Sequence, residues 1–250
     1  MSGPPVVLVI AGSDSSGGAG IARDLRVLAQ LRVEAVCAIT AVTAQTHGHV
    51  VSIHRVPPEV VRTQIRAALD SAAVGAIKIG MLGTAATVNA VADSLPCAGV
   101  LPIVLDPVLL SSSGGMLLDE EGRAEMRARL FPLATVLTPN IPEAARLCAA
   151  PPAASPDERI AQARMLLAMG PRAVLLKGGH ANDGDAADLL LSADDSPQWL
   201  SSPRLGARCR GTGCALATAI AAGLASGASL VEACRKGKQL VQSMLAASAS

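Results

Sequence analysis

Six short runs made almost wholly of aliphatic residues recur along this chain, and they constrain its fold more than any other feature. They are PVVLVIAG (5–12), VEAVCAIT (33–40), GAIKIGM (75–81), LPIVLDPV (101–108), ATVLTPN (134–140) and RAVLLKGG (172–179). Each has the length of a strand and is bounded by turn residues. A strand with one buried face alternates polar and apolar residues, whereas a uniformly apolar strand is covered on both faces. Between the runs lie stretches with helical spacing and charged faces: GIARDLRVLAQL (20–31), PPEVVRTQIRAALDS, TAATVNAVADSL, DEEGRAEMRARL and DERIAQARMLLAMG. Strands alternating with helices in this way predict an α/β protein, a mostly parallel central sheet between two helix layers. The best linker candidate, APPAASPDE (150–158), does not interrupt the pattern, so residues 1–250 read as one domain.

The core of such a chain must be Leu, Val, Ile and Ala, because it has one Trp, one Phe and no Tyr. Lys plus Arg total 21 against 20 Asp plus Glu. That balance, without a basic run or aromatic rings to stack on bases, argues against nucleic-acid binding. The N-terminus MSGPPVVLVIAGSD carries no positive charge before its apolar segment and is a poor secretory signal. The one long uncharged tract, GTGCALATAIAAGLASGASLV, is built from Ala, Gly, Ser and Thr, so it reads as a buried helix rather than a membrane span. Cys37, Cys97, Cys148, Cys209, Cys214 and Cys234 form no CxxC pair, which indicates neither a zinc site nor a disulfide scaffold. A cytoplasmic protein without membrane or nucleic-acid partners is expected.

In open parallel sheets, ligands collect at the carboxyl ends of the strands. The clusters AGSDSSGGAG, TAVTAQTHG, KIGMLG, LDPVLLSSSGG, TPNIPEA and LKGGH each follow an apolar run directly. AGSDSSGGAGIARD (11–24) is no Walker-type phosphate loop, since Gly17 is followed by Gly18 rather than Lys, and it is no clean dinucleotide fingerprint. It is either an ordinary strand–helix turn or a loop that lets backbone approach a small ligand, with Asp24 just inside the helix. LDPV and TPNIPEA supply Asp106, Asn140 and Glu143. Such hard oxygen donors suit Mg²⁺, which keeps its waters and binds through one or two carboxylates plus phosphates. Asn140 and Glu143 also fit a helix cap around Pro142, and the two readings are compatible. Lys177 ends a strand beside glycines, where a lysine needs a partner and a phosphate would serve. RGTGCALATAIAAG opens a helix whose first amides are unpaired, a natural anion site. Gly211 and Gly213 remove side chains that would obstruct a phosphate, and Cys214 lies in the first turn, where the helix dipole is expected to lower a thiol pKa. The alternative for this turn is close helix–sheet packing around a core cysteine.

Taken in order, IAGSDSSGGAGIARDL, ITAVTAQTHG, VPPEVVRTQI, KIGML, VLDPVLL, LTPNIPEA, LLKGGH and GTGCALATAIAAG resemble the hydroxymethylpyrimidine (phosphate) kinases of thiamine biosynthesis, in the ribokinase-like superfamily. The resemblance runs from about Val6 to Glu232. It implies a three-layer α/β/α ribokinase-like fold, use of ATP and Mg²⁺, and a homodimer. By correspondence, Gly211, Thr212, Gly213 and Cys214 would form the anion hole for the transferred phosphoryl group. Cys214 would be the candidate base for the substrate hydroxymethyl group, and Lys177 would contact the phosphates. Asn140 and Glu143 would hold Mg²⁺ through water, with Asp106 nearby. Gln45 would read the edge of a small pyrimidine alcohol, with Gly12, Asp24 and Met81 lining the same pocket.

The chain departs from that family at two positions. Arg210 stands where a His usually precedes the GTGC turn, and Ser112 lies near the place of a common Lys. Arg210 is expected to restore the missing positive charge near the phosphates. THGHV (46–50) and SSSGG (111–115) are the flap candidates. A pyridoxal or pyridoxine kinase of the same branch, and a non-catalytic pyrimidine-binding protein of the same fold, are the alternative readings.

Overall fold

A computed structural model describes residues 3–46, 48–95, 100–111, 114–179, 185–193, 195–206 and 209–248. In chain order its elements begin β1 (Val6–Asp14), α1 (Gly20–Gln30), β2 (Glu34–Gln45), β3 (Val50–Arg55), α2 (Pro58–Ser71), β4 (Val74–Ile79) and α3 (Ala85–Ser94). They continue with β5 (Ile103–Leu105), α4 (Glu120–Glu125), β6 (Val136–Leu137), α5 (Ile141–Cys148), α6 (Pro156–Leu167) and β7 (Ala173–Leu176). The chain then forms β8 (Asp185–Ser192), β9 (Gln198–Pro203), α7 (Thr212–Ala225) and α8 (Leu230–Ala247).

All six apolar runs become adjacent parallel strands in the order β2-β1-β4-β5-β6-β7. Their two faces are sealed by different helices. Val61 and Ile65 of α2, Val88 and Val91 of α3, and Leu147 of α5 cover one face. Ile21 and Leu28 of α1, Leu216 and Ile220 of α7, and Ala233 of α8 cover the other. The three-layer α/β/α arrangement is therefore as expected. β5 and β6 are shorter than their apolar runs, because Pro102, Pro107 and Pro139 bring no N–H to the ladder.

Three strands were not anticipated, and all are antiparallel. β3 pairs with β2, β8 with β7 and β9 with β8, closing both edges of the sheet. VVSIHR and QWLSSP are largely exposed and DAADLLLS is buried only from Asp188 to Leu191, so none carries the uniform apolar signature of the centre. Pairing with β3 also carries β2 past Thr40 to Gln45, so most of TAVTAQTHG is strand rather than loop. The helix expected at 119–130 changes pitch as it ends: α4 passes into a wider π-helical turn (Met126–Leu130) and then a tighter 3₁₀ turn (Phe131–Leu133) that contains Pro132. The uncharged tract after residue 211 is not one helix either, since α7 stops at Ala225 and Ser229 caps α8.

From β1 the chain pairs first to β2 on one side and later to β4 on the other. Strand order reverses at β1, and in such sheets the crevice at the carboxyl edge of the reversal is the ligand position.

Candidate active site

The N-terminus of α7 faces that crevice. Gly211 is its cap residue, with φ +73°, and no side chain caps the helix. The first amides are left free for an anion. A Cβ on Gly211 would lie 2.3 Å from the Gly18 carbonyl oxygen, so the turn can only be glycine if the β1–α1 loop is to lie against it. Thr212 and Gly213 follow. A Cβ on Gly213 would sit 3.2 Å from Lys177 Nζ and 3.9 Å from Asp106 Oδ2. The anion site, the lysine and the carboxylate are thus one cluster.

Lys177 donates to Asp106 Oδ1 at 2.8 Å, and Thr138 Oγ1 donates to the same oxygen at 3.2 Å. Burial opposes the ammonium charge, but Asp106 and then Glu143 outweigh it and hold the Lys177 pKa above its ordinary value. The backbone following Lys177 is anchored as well. Asp188 accepts from the Gly178 amide and from Lys238 Nζ, both at 2.8 Å.

Asn140 and Glu143 form a capping box at the start of α5. Asn140 Oδ1 accepts from the Glu143 amide and Glu143 Oε2 accepts from the Asn140 amide, both at 2.8 Å, with Pro142 between them. Burial pushes the Glu143 pKa up to about 7, with Lys177 opposing and Asp106 reinforcing the shift. The helix-cap reading therefore holds for both residues. It bears on the metal reading, because the Asn140 side-chain oxygen is already taken and Asn140 acts by holding Glu143. Asp106 and Glu143 remain as two carboxylates beside an anion site. Among the described residues no three acidic, His or Cys side chains converge into a closed metal cage. Two carboxylates with the balance from water and phosphate is nevertheless a donor set that fits Mg²⁺.

Cys214 lies half-buried in the first turn of α7. The expected lowering of its pKa is not found. Burial pushes the thiol up to about 11, Lys78 opposes this, and Asp24 and Asp106 add to it. The resting group is a neutral thiol.

Asp24 does not line a pocket. Its side chain is 0 % exposed, because α1 turns it inward onto β4 and α7. There Lys78 Nζ donates to Oδ2 at 2.7 Å and Thr218 Oγ1 donates to Oδ1 at 2.8 Å. Lys78 is equally sealed; burial opposes its charge, but Asp24 and more distant anions hold its pKa above the usual lysine value. Lys78 and Thr218 were missed in the sequence. The available signal was a single charge inside the apolar run GAIKIGM, which must be buried and therefore paired.

On the other side of the crevice Met81 packs against Gly12, its Sδ 3.0 Å from where a Gly12 Cβ would be, and Thr40 Oγ1 donates to the Met81 carbonyl at 2.6 Å. Gln45 ends β2 half-buried, with Thr43 Oγ1 3.2 Å from its side-chain oxygen. Its amide donates to Ser15 Oγ at 2.8 Å, and Ser15 Oγ donates back to its carbonyl at 3.0 Å. Arg210 is not a free cation near the phosphate position, contrary to expectation. Its guanidinium turns toward Asp14, Ser16 and Thr46, with Asp14 Oδ2 at 3.6 Å from Nη2. Ser112, the centre of the SSSGG flap candidate and His47 of the other flap candidate lie outside the described residues, as does Cys97.

The phosphomethylpyrimidine kinase family pattern matches residues 14–250. The hydroxymethylpyrimidine/phosphomethylpyrimidine kinase of Streptomyces coelicolor is 45 % identical over 98 % of this chain and 90 % of its own length. The phosphomethylpyrimidine kinase structure from Clostridium difficile 630 superposes with a TM-score of 0.83 at 32 % identity, covering 96 % of this chain and 99 % of that one. The Staphylococcus aureus pyridoxal kinase, solved with AMP-PCP and pyridoxal, gives 0.88 at 28 % identity over 98 % of this chain and 88 % of that one. Among the described residues no helix is long and apolar enough to cross a membrane.

Proposed function

We infer the reaction from one premise: the chain belongs to the phosphomethylpyrimidine kinase family. It is a phosphotransferase of thiamine biosynthesis. The reaction we assign is transfer of the γ-phosphoryl group of ATP to the hydroxymethyl group of 4-amino-5-hydroxymethyl-2-methylpyrimidine, and then to the resulting monophosphate. The observation that carries the reading is the convergence of Lys177 and Asp106 on Gly213, in the uncapped first turn of α7.

Phosphoryl transfer asks for positioning and charge neutralisation more than covalent chemistry. The free amides of Thr212, Gly213 and Cys214 take the equatorial oxygens of the moving group, and the dipole of α7 favours their charge. Lys177 exchanges part of its contact with Asp106 for a phosphate oxygen. Asp106 and Glu143 are the residues that would hold Mg²⁺ through water, and the ion supplies further neutralisation of the phosphates. Gln45 presents an amide to the pyrimidine edge, and Gly12 with Met81 gives the ring a flat apolar wall. Cys214, a neutral thiol at rest, orients the incoming hydroxyl. A loose transition state does not require that the alcohol lose its proton early. Asp24 supports the site from beneath through Lys78 and Thr218.

Purified protein with ATP, Mg²⁺ and the pyrimidine alcohol is expected to yield the phosphate ester, and a second equivalent of ATP the diphosphate. No turnover, with brisk phosphorylation of pyridoxal, would replace this assignment by the second reading, a pyridoxal kinase, which the Staphylococcus aureus fold match favours. Gln45→Ala should raise KM for the aminopyrimidine more than for pyridoxal. We assign the enzyme to the cytoplasm and to a homodimer. In support of the dimer, Val42 and Val51 of the β2–β3 ribbon present apolar surface, 48 % and 64 % exposed, that a second copy would cover. Light scattering on the eluting peak tests the dimer.

A further inference from the structure

The site is split between two supports. The anion turn belongs to α7, while Gln45 ends β2 beyond β1. Phosphoryl transfer requires the reacting oxygen to be placed within fractions of an ångström, so the two supports must be held to each other. Their common neighbour is the β1–α1 loop. Ser15 clips Gln45 to it through both backbone groups, at 2.8 and 3.0 Å. From the other side Arg23 Nη2 donates to the Arg210 carbonyl and Arg23 Nε to the Gly18 carbonyl, both at 3.3 Å.

One side chain spans all three parts. Arg210 Nη1 donates to the Thr46 carbonyl at 2.9 Å and to Ser16 Oγ at 3.2 Å. Nη2 faces Asp14, whose carboxylate already organises the loop by accepting from the Ser16 amide and hydroxyl and from the Ala19 amide. Arg210 Nε is buried without a partner. A guanidinium that leaves one donor unmet in order to keep its other contacts is held by those contacts, and its charge is answered by Asp14 rather than reserved for a phosphate.

We propose that Arg210 is a positioning residue that locks the pyrimidine-reading end of β2, at Gln45 and Thr46, to the anion turn of α7, and does not bind phosphate. The proposal rests on the kinase assignment above. Arg210→Ala is expected to raise KM for the pyrimidine alcohol about tenfold, the scale of one lost charge-assisted hydrogen bond, and to lower kcat. KM for ATP should move less than about twofold. Arg210→Lys keeps one cationic donor but cannot span Thr46 and Asp14 together, and should fall between wild type and Arg210→Ala. In Arg210→Ala/Gln45→Ala the pyrimidine KM should match that of Gln45→Ala alone, because Arg210 acts through Gln45.

A readout independent of turnover separates this inference from the kinase assignment. Amide exchange at residues 43–46 should speed up at least about tenfold in Arg210→Ala, while residues 215–222 of α7 keep wild-type protection. Where Arg210→Ala does not fold, Arg210→Lys decides by the same exchange measurement. Failure of wild-type turnover would sink the kinase assignment. A raised KM for ATP with an unchanged pyrimidine KM would make Arg210 a phosphate ligand, and additive effects in the double variant or unaltered exchange at 43–46 would equally overturn the lock.

Discussion

Lys78→Met removes one half of an ion pair whose two side chains are both 0 % exposed. The variant side chain fills nearly the same volume, so the effect comes from charge. Asp24 would keep only Thr218 as a partner, 2.8 Å from Oδ1, in surroundings sealed from bulk solvent. Breaking a buried pair by deleting one partner costs about 3–5 kcal/mol. For a chain of this length each kcal/mol lowers Tm by about 2–4 °C, so Lys78→Met should melt about 6–20 °C below wild type. Replacing both partners, in Lys78→Met/Asp24→Leu, should recover most of the loss, since apolar residues of similar volume often substitute for a buried pair without penalty. Thr218 can then donate to a carbonyl of its own helix. The measurements are thermal melts and urea unfolding of wild type, both single variants and the double variant. A Lys78→Met loss below about 1 kcal/mol, or single losses that simply add in the double variant, would refute the idea that the pair is coupled and dry. Lys78 also draws the Cys214 thiol pKa down, so alkylation of Cys214 in the variant should require higher pH than in wild type.

Gly211→Ala forces a side chain into φ +73° and within 2.3 Å of the Gly18 carbonyl, so both stability, by at least about 1–2 kcal/mol, and kcat should fall; unchanged values would show that the loop yields freely. Glu143 has a folded pKa of about 7 against an ordinary 4.5, so its contribution to stability is full below 4.5 and is lost as pH rises through about 7. In the absence of Mg²⁺, wild-type Tm should therefore drop relative to Glu143→Gln across that window, and parallel Tm–pH curves would contradict the assignment. Cys214→Ser should keep KM for the alcohol and lower kcat, and wild-type kcat should not climb as pH approaches the thiol pKa of about 11. A tenfold rise in kcat per pH unit would instead make the thiolate the base.

What could be read from the sequence depended on whether a residue's signal was local. The central strands are legible because burial on both faces leaves runs such as VVLVI, and their parallel arrangement follows from alternation with helices, whereas their order in the sheet does not. β3, β8 and β9 are not: the edge strands VVSIHR and QWLSSP present much of their surface to water and resemble loop as much as strand, and β8 opens on the polar stretch DAAD. Asp106, Asn140 and Lys177 stand out because each closes an apolar run, and Glu143 because it follows Asn140 by three residues; the fold brings them together at the strand ends and the start of α5. Asp24 was identified but misplaced. Its role depends on Lys78 and Thr218, 54 and 194 residues away, and no local pattern announces a partner at that distance. The place of Arg210 is hidden for the same reason, because its charge is answered by Asp14 at the end of β1, nearly two hundred residues earlier.

The helix that carries the anion turn is buried without interruption from Ala215 to Ala222, and its sequence there is ALATAIAA. Alanine has no rotamers to lose, so five of these eight positions cost no side-chain entropy on ordering, and the segment holds little such reserve to be released or spent when a ligand arrives. Accommodation has to be borne elsewhere, by the long side chains of Lys177 and Gln45 and by the loops at the strand ends. The phosphoryl position is then a datum inherited from the sheet, and the substrate is brought to it.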